Sequence, residues 1–252
     1  MKLQRIGLAA LFAFLTTLAM GDTRFVVNFQ SPNQGEIALA QTPEARKAEA
    51  DRLLQQGIGQ FQARQVDAAL QSFQQAIAIY REIKDRPGEI KGLESLSYVY
   101  ESGRDFPKAI ETYEQILAIA RSIPDRRSEG STLGSLGNIY FAMGNIPKTL
   151  DYYQQSLAIA REIKERQGES AVLSNLGDVY FSLGDFSKAI EYQQQVLDIA
   201  REIKNRYSEI KAVALLGISY YYLANYPKAI EYQQEWLTLS REIKDRQSEA
   251  AA

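Results

Sequence analysis

Apolar residues along the chain fall into short blocks with helical spacing, separated by a few polar or turn-forming residues. Leu133, Leu136, Gly137, Tyr140 and Phe141 recur every three to four positions, and so do Leu150, Tyr153, Leu157 and the Ile159-Ala160 pair. That is the signature of one buried stripe on a helix with 3.6 residues per turn. Gly144-Asn145 interrupts the two stripes, and Pro147 follows. A proline there sits in the first helical turn, where its missing N–H does no harm. The segment predicts two helices joined by a tight turn, and the pattern repeats. Tyr100, Tyr140, Tyr180 and Tyr220 lie forty residues apart, as do Lys108, Lys148, Lys188 and Lys228. Arg-Glu-Ile-Lys starts at Arg81, Arg161, Arg201 and Arg241, with Arg121-Ser122-Ile123-Pro124 as a degenerate copy. Five ungapped units of forty fill the chain from about Lys47 to Arg246, at 47–86, 87–126, 127–166, 167–206 and 207–246.

Further positions refine the unit. A small residue stands at Gly57, Ser97, Gly137, Gly177 and Gly217, inside the first helix of each pair. Glycine there costs about 1 kcal/mol against alanine, so the positions predict close helix approach. The turn glycine of the third unit is matched to Gly103 and Gly184, with Ala224 in the fifth unit. In the charged tail of each unit, Arg161 and Glu165 are four apart, as are Glu162 and Arg166. The expectation is a solvated helix end with surface pairs worth about 0.2–0.5 kcal/mol each.

Upstream, Lys2 and Arg5 precede an uncharged apolar run from Ile6 to Met20. A basic start and a run too short to span a bilayer predict a secretory signal peptide over 1–21. Cleavage is expected after Ala19-Met20-Gly21; the alternative is a retained anchor. Both place the remainder outside the cytoplasm, periplasmic or extracellular. Residues 22–41 read as a linker with turn residues such as Ser31-Pro32-Asn33-Gln34-Gly35, and Thr42-Pro43-Glu44 opens the helical part.

Composition then removes whole classes of chemistry. Among 252 residues there is no histidine and no cysteine. That excludes a Ser-His-Asp triad, a thiolate nucleophile, disulfides and Cys/His zinc sites. Lys and Arg number 29 against 31 Asp and Glu, for a net charge of −2, which argues against a field-driven role on nucleic acid. Paired carboxylates, as in glycosidases, remain conceivable. Their candidates, Glu94 with Glu101 and Asp178 with Asp185, recur as ordinary repeat positions or helix ends. Asp185 after Gly184 reads as a helix starter and not a cation ligand, and phosphate-binding glycine loops are absent. Neither cofactor nor metal is implied.

Taken together, Leu136-Gly137, Tyr140, Gly144, the small residue Thr149 (Ala69, Ala109, Ala189 and Ala229 elsewhere), aromatic Tyr153 (Phe73, Tyr113) and Ser156 (Ala76) resemble the tetratricopeptide repeat, a helix-turn-helix unit. The forty-residue length is similar to the variant of Pins-type spindle adaptors and many bacterial proteins, some of which carry a caspase-like peptidase domain. Two departures stand out. Arg161 and its equivalents replace the proline that closes the family's second helix, which predicts a longer helix. Gln193 and Gln233 replace the second-helix aromatic, with Tyr192 and Tyr232 one residue earlier.

The resemblance implies an all-α, right-handed solenoid of five stacked helix pairs over 42–252, non-enzymatic, binding a protein partner in a groove lined by the first helices. Carried onto this sequence, the groove positions are Lys91, Glu94, Tyr98 and Glu101; Ser131, Ser135, Asn138 and Phe141; Asn175, Asp178, Phe181 and Ser182; and Lys211, Ile218, Tyr221 and Tyr222. Asn and Ser can satisfy both donors and acceptors of a peptide backbone, while Phe and Tyr offer flat apolar contact. The aromatics alternatively pack only against the next helix. A competing role is a recruiting or regulatory module for a separate catalytic chain, or a shortened relative of a longer repeat-plus-peptidase protein. The fifth unit's second helix, with Tyr232, Trp236 and Leu239, is expected to stay partly uncovered and to allow end-to-end self-association.

Overall fold

The structure, a computed structural model, describes residues 42–249, with side chains to Glu242. The signal-peptide and linker segments lie outside the described residues. Those described form α1 (Pro43–Gln62), α2 (Val66–Glu82), α3 (Arg86–Ser102), α4 (Phe106–Ser122), α5 (Arg126–Ala142), α6 (Ile146–Glu162), α7 (Arg166–Ser182), α8 (Phe186–Glu202), α9 (Arg206–Tyr222) and α10 (Tyr226–Glu249), with no strand among them. Each helix packs on the next in sequence, giving an all-α solenoid of stacked pairs. The forty-residue period has a simple origin: from α2 to α9 every helix is 17 residues long, and each link has three residues. Arg161 lies inside α6, so the second helix does run through the position of the family's proline.

One residue serves both sides of most links; the first, with Gln65, has no side-chain cap. In the link after α2, Lys84 adopts φ 59°, and the Lys84 and Asp85 N–H groups donate to the Arg81 and Tyr80 carbonyls (3.2 and 2.9 Å), closing the helix in a Schellman motif. Asp85 then starts α3, its carboxylate accepting from the Gly88 N–H at 3.0 Å, an N-cap. Asp105, Asp125, Asn145, Glu165, Asp185, Asn205 and Asn225 repeat this cap. Asp185 is thus a helix starter, as its sequence position suggested. The left-handed residue falls at Arg64, Lys84, Arg104, Gly144, Lys164, Gly184, Lys204 and Ala224. This corrects one sequence equivalence: Gly103 has φ −80° and is not the counterpart of Gly144, because Arg104 holds that conformation. The α4–α5 link differs because proline cannot take positive φ; next to Pro124, Ile123 is extended at φ −122°, ψ 156°.

Close approach explains the small first-helix residues. A Cβ on Gly57 would sit 2.5 Å from the Phe73 ring, one on Gly137 2.5 Å from the Tyr153 ring, and one on Gly177 2.5 Å from the Gln193 amide. Gln193, in the aromatic's place, is fully buried with its carbonyl oxygen unpartnered among the described residues.

The charged tails are not the i,i+4 surface pairs expected from sequence. Arg161 bonds Glu169 at 2.9 Å and Gln195 at 3.1 Å, and Arg166 bonds Glu169 at 2.6 Å and also reaches Glu202. Glu165 is engaged as the α7 cap. Glu169 is a buried carboxylate held between the end of one unit and the start of the next. Glu89, Glu129 and Glu209 repeat the arrangement, each between two arginines. Burial pushes the Glu129, Glu169 and Glu209 carboxyls up, but the bonds from their arginines outweigh it and hold them below the ordinary range.

Candidate functional site

The first helices α3, α5, α7 and α9 bring the sequence-derived positions into separate groups and not one uniform lining. Ser131, Ser135, Asn138 and Asn175 meet in a cavity of 470 Å³ between α5, α6 and α7. Small neighbours open this space: Gly130, Gly134, Gly168 and Ala171 line it, with Arg127, Glu165 and Gln167 also contributing. Within it the Asn138 carbonyl oxygen accepts from the Tyr153 hydroxyl at 2.6 Å and from the Asn175 amide at 3.1 Å. The two asparagines therefore tie adjacent units together. Among the described residues, the Asn138 amide N–H₂ and the Asn175 carbonyl make no hydrogen bond to the protein. Burial, with Asp178 nearby, pushes the Tyr153 hydroxyl up to about 12, so it stays a donor to Asn138.

Glu94 and Tyr98 line a second cavity, of 490 Å³, with Ile58 and Phe61 of α1. Tyr98 is exposed and meets Phe61 edge-on at 5.6 Å. The surrounding protein raises the Glu94 carboxyl, with Asp125 adding to the effect and Lys91 opposing it. Glu101 accepts from the Tyr113 hydroxyl at 3.2 Å. Between units four and five, Lys211 pairs with Asp178 at 3.0 Å and donates to Ser174 at 3.0 Å.

The aromatic positions are largely packing residues. Phe141 is half-buried against the core of units three to five. Phe181 meets Phe186 at 5.4 Å and Tyr222 at 5.8 Å, and Phe186 stacks on Tyr222 at 4.7 Å. The Ser182 hydroxyl donates to the Val179 carbonyl at 2.7 Å. Ile218, Tyr221 and Tyr222 remain exposed and form a third group, on the last helix pair. Of the carboxylates considered from sequence, Asp178 is ion-paired with Lys211, Asp185 caps a helix and Glu101 accepts from Tyr113. Among the described residues no cluster of acidic groups is placed to hold a metal ion.

Sequence reasoning missed the buried glutamates. Their signal was present: Glu89, Glu129, Glu169 and Glu209 lie forty apart, each three residues after one arginine and eight after another.

The tetratricopeptide repeat pattern matches residues 48–122 and 128–202. The chain belongs to the tetratricopeptide repeat family. This tetratricopeptide array is therefore a protein-interaction scaffold by fold family, and no catalytic family is indicated. Its fold is similar to that of BtubC from P. vanneervenii (17% identity, TM-score 0.61, 81% of this chain and 92% of that one). It is also similar to aspartyl phosphate phosphatase F from Bacillus subtilis (18%, 0.74, 83% and 55%). A third is a Rap protein complexed with Competence and Sporulation Factor (20%, 0.62, 84% and 58%). The array spans little more than half of the last two chains. No curated protein matches it.

Proposed function

We propose that the array binds an extended peptide segment of a partner protein across the first helices of units two to five, with Asn138 and Asn175 at its centre. The observation carrying this is the 470 Å³ cavity in which two linked side-chain amides sit beside Ser131 and Ser135. A peptide backbone offers alternating donors and acceptors, and two asparagines can meet both. Tyr98 with Phe61 on one side, and Ile218 with Tyr221 on the other, supply apolar contact for side chains further along the segment. A solved Rap protein of similar fold, complexed with Competence and Sporulation Factor, supports a binding role for an array of this kind.

Affinity capture with the repeat array, followed by mass spectrometry, would name the partner. Asn138→Ala combined with Asn175→Ala should then reduce its capture at least tenfold. Tyr153→Phe, which removes only the internal bond to Asn138, should leave capture unchanged. Circular dichroism checks that all variants are helical. Undiminished capture by the double variant would refute the assignment. We also propose export, supported by Lys2, Arg5 and the uncharged run from Ile6 to Met20; N-terminal sequencing of protein made in its own cell tests it, with a start after Gly21 expected.

A further inference from the structure

The cavity between α1 and α3 differs from the rest of the inner face in its charge. Its 490 Å³ are lined by Ile58, Phe61, Phe73, Glu94, Tyr98 and Val99, a size within the range of pockets that hold small ligands, about 300–1,000 Å³. Glu94 is the charged member of this lining. Register marks its carboxylate as an addition to the repeat. The equivalent positions are Leu54, Gly134, Ser174 and Ala214, small or apolar in every other unit. Glu94 is therefore not the ordinary repeat position its sequence suggested, and no stacking role shared by the units accounts for it.

Nor does the fold supply it with a partner. Among the described residues Glu94 makes no hydrogen bond and no ion pair, although Lys91 stands one turn before it. The other acids at groove positions are engaged: Glu101 accepts from Tyr113 at 3.2 Å and Asp178 pairs with Lys211 at 3.0 Å. In the unit-three cavity, Arg127 and Glu165 lie 3.7 Å apart and offset each other. The α9–α10 cleft, with Ile218, Tyr221, Ile230 and Leu237, has no charged side chain in its described lining. Of the residues expected to lie open at that end, Trp236 is exposed, Leu239 is buried and Tyr232 stacks on Tyr220 at 5.5 Å. Glu94 is accessible from its cavity, yet the protein around it, with Asp125 adding its charge, pushes its carboxyl up. Its ionised form is poorly solvated and has no counter-ion, a state that a bound cation relieves.

The aromatic neighbours narrow the choice of cation. Phe61 and Tyr98 meet edge-on at 5.6 Å with their planes 76° apart, and Tyr98 is 59% exposed, so ring surface stays open. A guanidinium can stack on an aromatic face while its fork of N–H donors meets a carboxylate; an ammonium lacks that planar fork. The apolar wall of Ile58, Phe73 and Val99 suits the methylene stem of an arginine side chain. We propose that this cavity is a guanidinium site, taking an arginine side chain from the segment bound along the first helices. The source of the arginine rests on the peptide reading above; the site itself does not.

Amide magnetic-resonance spectra of the nitrogen-labelled full chain at neutral pH test this with N-acetyl-arginine methylamide, a probe that carries the side chain alone. The probe should shift the Phe61, Ser95 and Tyr98 amides saturably. Its citrulline analogue has the same shape without the charge and should bind at least about tenfold more weakly, because charge-assisted bonds are about twice as strong. Glu94→Gln, at a side chain with no internal bond, should abolish the preference for arginine over citrulline. Tyr98→Leu keeps the bulk but loses the aromatic face, and should weaken arginine binding at least about threefold. No saturable shift, equal binding of citrulline, an undiminished preference in Glu94→Gln or undiminished binding in Tyr98→Leu would each overturn the proposal. The capture experiment reads Asn138 and Asn175 in a separate cavity, so either result can fail while the other holds.

Discussion

The same substitution, glycine to alanine, should act with opposite signs at two helical positions in this array. Gly137 in α5 faces the ring of Tyr153, itself 2% exposed, and an added Cβ would lie 2.5 Å from two ring carbons. Carbon–carbon contact is comfortable at about 3.5–4.0 Å, so the ring must move by about 1 Å. Close packing around it resists that movement. Overpacking of this kind costs about 1–3 kcal/mol. Shifting the ring also stretches the 2.6 Å bond from its hydroxyl to Asn138, a loss of about 1 kcal/mol. The helix gains about 1 kcal/mol from replacing glycine, leaving Gly137→Ala destabilised by roughly 1–3 kcal/mol. Gly59 in α1 has nothing within 4 Å of its would-be Cβ, so Gly59→Ala should stabilise by about 1 kcal/mol. Urea titrations followed by far-ultraviolet circular dichroism measure both. On a Tyr153→Ala background the obstacle is gone, and Gly137→Ala should there become stabilising. If Gly137→Ala stabilises the wild-type array, or destabilises it equally without the ring, the close-approach account fails.

Other perturbations address other parts of the architecture. Lys164 holds φ 56°, a conformation that disfavours side chains by about 1–2 kcal/mol; after the entropy glycine loses on folding, Lys164→Gly should raise stability by about 0.5–1 kcal/mol, read as a higher melting temperature. Leu176 is 1% exposed at the α7 core, and Leu176→Ala should cost about 2–5 kcal/mol in the same urea assay. The native carboxyls of Glu129, Glu169 and Glu209 lie below the ordinary range, so between the native and unfolded values the unfolded chain binds more protons. Their contribution is complete above the unfolded value of about 4.3 and is lost as pH falls through the native values. Melting temperature should drop on acidification below about pH 4, and the triple Glu→Gln variant should show a lower neutral value with a flatter acid limb.

Much of the fold was legible because every unit repeats the same local chemistry. Thr42-Pro43 reads as a helix start, and the Thr42 hydroxyl does accept from the Ala45 N–H at 3.2 Å. Gly137 predicted close approach, and Tyr153 is what approaches. Tyr140 and Lys148 were visible as markers of the period, but their contact was not: Lys148 sits 4.5 Å over the Tyr140 ring, which stacks on Tyr152 at 5.3 Å. The misreadings share a physical cause. Spacing of four along one helix suggested Arg161–Glu165, whereas helix stacking brings Glu169 closer from across a link. Gly103 was favoured over Arg104 because glycine is the habitual left-handed residue, yet here the Schellman hydrogen bonds hold arginine and lysine in that conformation. At the candidate site, sequence placed Asn138 and Asn175 on one face but could not show that they bond each other, since thirty-seven residues separate them.

The three-residue link has a consequence for how such a chain grows. Because the residue that finishes one helix also begins the next, neighbouring links offer similar splice points, and an Asp or Asn can receive a new helix from either side. Lengths cannot drift by one or two residues, as a shift would separate the finishing bond from the starting one and turn each buried glutamate away from its arginines. Duplication or loss of a whole forty-residue block creates no unfamiliar seam. The gene can therefore lengthen or shorten this protein by unequal exchange in whole units, with point changes such as Gln193 and Pro124 left to give individual copies their own character.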